Sequence, residues 1–436
     1  MSDLKKIARQ IFRETLAAID IPRTMQRKLA RAGTVIPCGE TPVDLRDYDQ
    51  LRVVAFGKAA HAMAEGLIGV LGPEFGVSGV VSAPTEPQRT LEGFRYFAAG
   101  HPVPTVQSLR AGRAILDLLQ DCGERALVFF LLSGGGSALV ELPLDPAMTL
   151  ADVQALHRLL VTCGAPIDSI NAVRKHLSAV KGGRLAEAAP LAMKLTYGVT
   201  DVPEGKESAL ASGPTIPDPT TIADAERVVR DFGLLGKFPP SVHAIFAQGR
   251  LRETPKKNDP AFARAHFQIL LGRHDLFHPA HRAAEAAGFV TLCDNATDDW
   301  PLQRAASFLL ERLDLLRDAN PGRCVAVIAD GEVSSPVTGD GVGGRNAAFV
   351  LDCVEKIAGR KIAVLSAGTD GIDGSSPAAG AVADGQTLER GRAAGLAPED
   401  YFRRSDSFSF FARLEDAVVT GPTGNNLRDL RILLAE

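Results

Sequence analysis

Five short apolar runs punctuate the chain, and each ends in a glycine-rich or acidic loop. Val53–Phe56 precedes GKAAHAM, Leu127–Leu132 precedes SGGGSAL and Leu195–Val199 precedes TDVPEG; Val325–Ala329 precedes DGE and Ile362–Leu365 precedes SAGTDG. Helical patterns follow most of them, so the spacing predicts alternating strand, loop and helix in α/β layers with largely parallel sheets. In such sheets ligands collect beyond the carboxyl ends of the strands, which directs attention to the five loops. At the N-terminus Leu4, Ile7, Ala8, Ile11, Phe12 and Leu16 recur at helical spacing and predict an amphipathic helix packed on the body. That segment also carries Asp3, Glu14 and Asp20 and has no continuous apolar core, which is unlike a secretory signal or a transit peptide.

Length changes the picture from one core to two. A chain of 436 residues exceeds an ordinary single domain. The proline-rich, charged stretch from Pro239 to Phe267, with ETPKKND at Glu253–Asp259, is where one domain is expected to give way to the next. The expected division is residues 1–245 and 246–436. A net charge of −4 gives no electrostatic reason to expect nucleic acid or an anionic membrane as partner, so the ligand is expected to be a small molecule. No apolar run approaches the ~20 residues needed to span a bilayer. Six scattered cysteines without a CxxC pair read as reduced, mostly buried thiols of a cytoplasmic protein. Nothing in the sequence fixes an oligomeric state.

Candidate chemistry sits in the loops. Three consecutive glycines in Ser133, Gly134, Gly135, Gly136, Ser137 follow ALVFFLL, and a turn of this kind at a helix start can cradle phosphate oxygens with backbone N–H groups. A tight turn between strand and helix is the plainer alternative. The chain contains no GxxxxGK followed by Ser or Thr, which excludes the common Walker geometry. Gly339, Gly341 and Gly344 match GxGxxG, but EVSSPVT, read as a further strand, stands where a dinucleotide fold would place the first glycine directly after its strand. Arg345 and Asn346 then open an apparent helix, where a planar guanidinium and the helix start could hold an anion. Lys58 is presented at the end of the first apolar run. Asn171, Arg174 and Lys175 lie on neighbouring turns of one expected helix, with Lys181 just before Gly182–Gly183. Asp201 and Asp370 follow two of the runs, and Asp370 with Asp373 supplies hard oxygen ligands suited to magnesium.

LLSGGGSAL, INAVRKHLSAVKGGRLA, ASGPTIPDPTT, GGRN, SAGTDGIDGSSPAAGAVADG and TGPTGNN occur in this order, and together they resemble the glycerate 2-kinase family, whose C-terminal part is called the MOFRL domain. The resemblance covers nearly the whole chain. It implies a two-domain α/β protein with Rossmann-like layered sheets and an active-site cleft between the domains, a kinase that moves the γ-phosphoryl group of Mg-ATP to the 2-hydroxyl of D-glycerate. It implies ATP and Mg2+ as cofactors. Lys58 and Arg345 match positions taken as catalytic in the family; Asp201 and Asp370 are assigned as magnesium ligand or acceptor of the substrate proton. Ser133–Ser137, with Gly344 and Thr369, are assigned to the nucleotide, and Asn171, Arg174 and Lys181 to the hydroxy acid. Where the family usually shows SDVPGDD this chain has TDVPEGKES at Thr200–Ser208, and GGRNQE becomes GGRNAA. These departures leave a kinase for a related hydroxy or sugar acid as an alternative. Members of the family have also been labelled hydroxypyruvate reductases, so an NAD(P)H-dependent reductase is the second alternative.

Overall fold

The computed structural model describes residues 3–39, 42–200, 202, 205–425 and 427–436. The chain divides into two compact units: Ile21–Leu271, and Met1–Asp20 together with Gly272–Glu436. The break falls at Leu271 and not at residue 245, because the chain leaves the proline-rich stretch to add one more strand to the first sheet.

That sheet holds β1 (Gln50–Phe56), β2 (Val77–Ala83), β3 (Phe94–Ala98), β4 (Ala126–Ser133), β5 (Met193–Val199) and β6 (Ala265–Leu271). Their spatial order is β3-β2-β1-β4-β5-β6 and every pairing is parallel. All eight residues of β4 are buried, which is why its sequence is a continuous apolar run instead of an alternation. The order reverses direction between β1 and β4. In a doubly wound sheet such a switch point leaves a crevice beyond the strand ends, where a ligand can reach the backbone. Here the loops leaving β1 and β4 carry GK and SGGGS. The helix α2 (Ala60–Leu71) follows β1, and a four-residue helix, α3 (Gly136–Leu139), follows β4.

A second apolar cluster in this unit is built mainly from helices. It joins Leu156 and Leu160 of α4 (Leu150–Thr162) to Val173 and Leu177 of α5 (Ile167–Leu177), and to Val228, Val242 and Ile245 further on. This cluster fixes α5, the helix expected from INAVRKHL.

The other unit contains β7 (Val290–Cys293), β8 (Val325–Asp330), β9 (Ile362–Gly368), β10 (Gly380–Asp384), β11 (Ala417–Val418) and β12 (Asp429–Ala435), in the order β11-β10-β9-β12-β8-β7. The expectation of largely parallel sheets fails here. Only β7 and β8 pair in parallel; β12 inserts antiparallel between β8 and β9, and β10 returns antiparallel beside β9. The reason lies in the connections: Thr369–Ala379 joins β9 to β10 without a crossover helix, and a parallel pairing needs one. A helix, α6 (Arg345–Lys356), begins at the arginine of GGRN. EVSSPVT forms no strand; Ser334 makes a single bridge to Pro301.

Although it opens the chain, α1 (Leu4–Ala18) belongs to this second unit. Asp3 caps it by accepting from the Lys6 N–H at 3.1 Å, and Leu4, Ala8, Ile11, Phe12 and Thr15 form its buried stripe against β9 and β12. Lys5 reaches Asp416 at 3.0 Å, and the Asn425 amide donates to the Ile19 carbonyl at 2.7 Å. Phe12 is 1% exposed, so Phe12→Ala should cost about 3–5 kcal/mol in chemical denaturation. We predict that hydrogen-exchange protection then falls in residues 272–436 before residues 21–271.

Candidate active site

At the switch point the backbones of the two loops nearly touch. Gly57 has φ +129°, and a Cβ there would lie 2.1 Å from Ser133 Oγ and 2.6 Å from its carbonyl oxygen, so only glycine fits. The Lys58 N–H donates to Gly134 O at 2.9 Å and the Ala59 N–H to Ser133 Oγ at 3.0 Å. Lys58 is therefore carried on a backbone locked to the SGGGS turn. Gly135, at φ +82°, starts α3 and lies under the His101 ring, 2.9 Å from the place a Cβ would take. The first N–H groups of such a turn have no intrahelical acceptor and suit an anion. Burial, then the charge of Lys58, lowers the His101 pKa, which leaves this ring neutral beside the lysine. His101 carried no signal in the sequence; only the fold brings it to Gly135.

Behind the turn a strained segment supports it. Ala211, Ser212 and Gly213 have φ of 50°, 62° and 59°, a run of left-handed residues that costs energy at the two non-glycine positions. The Gly182 and Gly183 N–H groups hold this run by donating to the carbonyls of Ser212 and Gly213 at 3.0 and 2.7 Å. Ser212 Oγ lies 2.8 Å from Ser137 Oγ and 3.5 Å from Asn171 Oδ1, which joins α5 to the SGGGS turn. SGPT and KGG, distant in sequence, thus belong to one structure with SGGGS.

One turn further along α5, Arg174 is half-buried and donates to Nδ1 of His157 at 2.8 Å. Burial, followed by the charges of Arg174 and Lys181, lowers His157 to about 4, so a neutral imidazole faces the guanidinium. Lys181 departs from expectation. It is 1% exposed and its ammonium pairs with Glu141, which also accepts from Ser178. An apolar interior tolerates an ammonium only when it is paired, and this one serves the fold beneath the site.

In the second unit the register places a charged row across three strand ends. Gly368 of β9 faces Asp429 of β12, and Asp330 of β8 faces Leu430. Arg345 binds Asp429 through Nε at 2.5 Å and grips Glu332 with both terminal nitrogens, at 2.7 and 2.6 Å. Burial alone would lower its pKa, but Asp429 and Glu332 raise it above the ordinary arginine value. Arg428 pairs with Asp330 at 3.1 Å and with Asp298, and Arg431, wholly buried, donates to the Gly331 carbonyl at 2.8 Å. The charged positions Arg428, Asp429 and Arg431, at the start of an apolar strand, were the sequence signal for this row, and it was missed.

Several expected ligand residues have other work. The start of α6 is already capped: the Asp373 carboxylate accepts from the N–H groups of Asn346 at 3.0 Å and Ala347 at 2.8 Å, so these donors are spent on an internal anion. Gly344 is a glycine because a Cβ would meet Asp373 Oδ1 at 2.3 Å. The Thr369 hydroxyl accepts from the N–H groups of Leu427 and Arg428, both at 3.1 Å, and is 2% exposed. Gly344 has no side-chain donor, and the Thr369 hydroxyl is buried and engaged in its own turn. Gly339 and Gly341 admit the Arg404 carbonyl, which would lie 2.5 and 2.6 Å from their Cβ positions; the GxGxxG match is a close-packing device. Asp370 Oδ1 accepts from the Ile372 N–H at 3.0 Å within its own loop, and the Thr423 N–H donates to the Asp370 carbonyl at 3.1 Å, so TDG and TGPTGNN do meet. Asp201 lies outside the described residues.

Among the described residues no group of three or more His, Cys, Asp and Glu is arranged to hold a metal ion. The donor set of Lys58, His101 and the SGGGS backbone suits phosphate oxygens. No helix is long and apolar enough to cross a membrane among the described residues.

The model of a domain of unknown function, DUF4147, matches residues 7–247, and that of the MOFRL family matches residues 325–429. The chain is 32% identical over 432 residues to the D-glycerate 2-kinase of Thermotoga maritima, covering 98% of each chain. It is also 36% identical over 387 residues to a protein of Agrobacterium vitis that carries a hydroxypyruvate reductase label, covering 88% of this chain and 86% of the relative. The crystal structure of a glycerate kinase from Thermotoga maritima superposes with a TM-score of 0.86 at 32% identity, covering 99% of both chains.

Burial pushes the Asp373 carboxyl up to about 6, against the pull of the Ala347 and Asn346 N–H groups. The unfolded value is about 3.9, so the folded protein holds an extra proton between roughly pH 4 and 6, and its stability should fall as pH rises through that window. Denaturation midpoints measured across the window should show this decline in the parent protein and a flatter profile in Asp373→Asn.

Proposed function

Since the chain belongs to the glycerate 2-kinase family, DUF4147 followed by MOFRL, we propose that it transfers the γ-phosphoryl group of ATP to the 2-hydroxyl of D-glycerate, giving 2-phospho-D-glycerate and ADP. The observation that carries this reading is the locked pairing of the Lys58 loop with SGGGS at the switch point. Phosphoryl transfer asks little covalent chemistry of a protein and much positioning and charge compensation, and a cation on a rigid backbone beside a phosphate-binding turn supplies both. In this reading the SGGGS turn takes nucleotide phosphates and Lys58 offsets charge on the group in transfer. Arg345 is the second cation, and Asp370 and Asp201 are assigned as acceptor of the hydroxyl proton or as magnesium ligand. Mg2+, when bound, would neutralise phosphate charge.

Arg174 is the residue we assign to the acid's carboxylate. A half-buried guanidinium whose hydrogen-bond partner is a neutral imidazole keeps its charge for a ligand, and a carboxylate matches its planar fork. Asn171, one turn earlier on α5 and tied to Ser212, would orient the same substrate.

The reductase reading lacks a matching site, because the only GxGxxG identified in the sequence packs against Arg404 and Asp373 and follows no strand. The deciding experiment supplies Mg-ATP with D-glycerate, follows ADP release and identifies the product by phosphorus NMR, with hydroxypyruvate and NAD(P)H in parallel. ATP-dependent 2-phosphoglycerate is expected; NAD(P)H oxidation without it would overturn the proposal. Lys58→Ala should lower kcat by about 100- to 1000-fold with nucleotide affinity changed far less. Arg174→Met should raise KM for D-glycerate by roughly 10- to 100-fold, as expected for loss of a charged hydrogen bond, and leave KM for ATP unmoved.

A further inference from the structure

Arg345 is held by two carboxylates that differ in every respect that governs exchange. Asp429 is 5% exposed, sits within the paired register of β12, and accepts through the Nε edge; its carbonyl also binds the Gly331 N–H at 3.1 Å. Glu332 is 47% exposed and takes both terminal nitrogens, the edge that a planar guanidinium offers to any two-oxygen anion. Its backbone is pinned, with its N–H on Asp298 at 3.0 Å and its carbonyl accepting from Asp299 at 2.7 Å, so exchange requires only side-chain rotation. Half-exposed ion pairs are cheap to break and buried ones are not. As built, both terminal nitrogens of Arg345 are taken by Glu332, so that edge is closed to the anions that a kinase must bind.

We propose that Glu332 is an internal counter-anion occupying the edge of Arg345 that a two-oxygen group of the substrates, phosphoryl or carboxylate, takes during the reaction, while Asp429 holds the arginine in place throughout. Glu332 thereby sets the anion affinity of Arg345 and keeps its guanidinium aligned when no ligand is bound. The inference rests on the reading that Arg345 meets an anionic substrate.

The test is calorimetric titration without turnover, using inorganic tripolyphosphate in one arm and D-glycerate in the other, on the parent protein, Glu332→Gln, Glu332→Asp and Arg345→Met. Glu332→Gln should tighten one anion by roughly fivefold at low ionic strength, the scale of removing a half-exposed competitor. The arm that tightens identifies the group that binds. Glu332→Asp, too short to reach the fork, should tighten the same arm, and serves if the glutamine variant melts early. Unchanged or weaker binding in both Glu332 variants, with Arg345→Met binding weakly, would overturn the exchange and leave the role of Arg345 intact. Unchanged binding in Arg345→Met as well would overturn both.

Discussion

Two backbones at the centre of the first sheet approach so closely that no Cβ can stand between them. Gly57 faces Ser133, and buried N–H groups on that loop must find acceptors; Lys58 uses Gly134 O and Ala59 uses Ser133 Oγ. That contact fixes the start of α2 and carries Lys58 on a backbone bonded to the SGGGS turn. The left-handed pair Ala211 and Ser212, each costing about 1–3 kcal/mol, persists because the Gly182 N–H and the Ser137 hydroxyl bond Ser212 while the Gly183 N–H bonds the adjoining Gly213.

The second unit solves a different problem. Carboxylates stand at the ends of β8 and β12 where burial would penalise them, and arginines from the residue before β12 and from α6 neutralise them: Arg428 on Asp330, Arg345 on Asp429. Much of its glycine-rich sequence is spent on construction. Gly344 makes room for Asp373, Asp373 caps α6, Asn346 links Asp373 to Ser366, and Thr369 closes the turn before β12. A motif rich in ligand-like residues can therefore be mostly scaffold.

Much of this was legible in the chain. Continuous apolar runs marked β1, β4, β5, β8 and β9, helical spacing marked α1, and the placing of Lys58 and SGGGS after their strands located the switch-point loops. Less visible were the partners. Whether Lys181 faces solvent or Glu141, and whether the N–H groups of α6 face a ligand or Asp373, depends on residues 40 and 27 positions away in sequence. His101 and His157 left no pattern at all, since a single histidine has no periodicity.

The sequence by itself marked five of the strands, the N-terminal helix, the glycine-rich loops that follow the apolar runs and the family, because hydrophobic period and local turn chemistry act over a few residues. Only the tertiary structure decided that α1 joins the C-terminal unit, that β12 enters the second sheet antiparallel between β8 and β9, and which charged side chains are spent on one another. Those outcomes depend on pairing between segments far apart in the chain, where burial makes each charge choose a partner that no local pattern names.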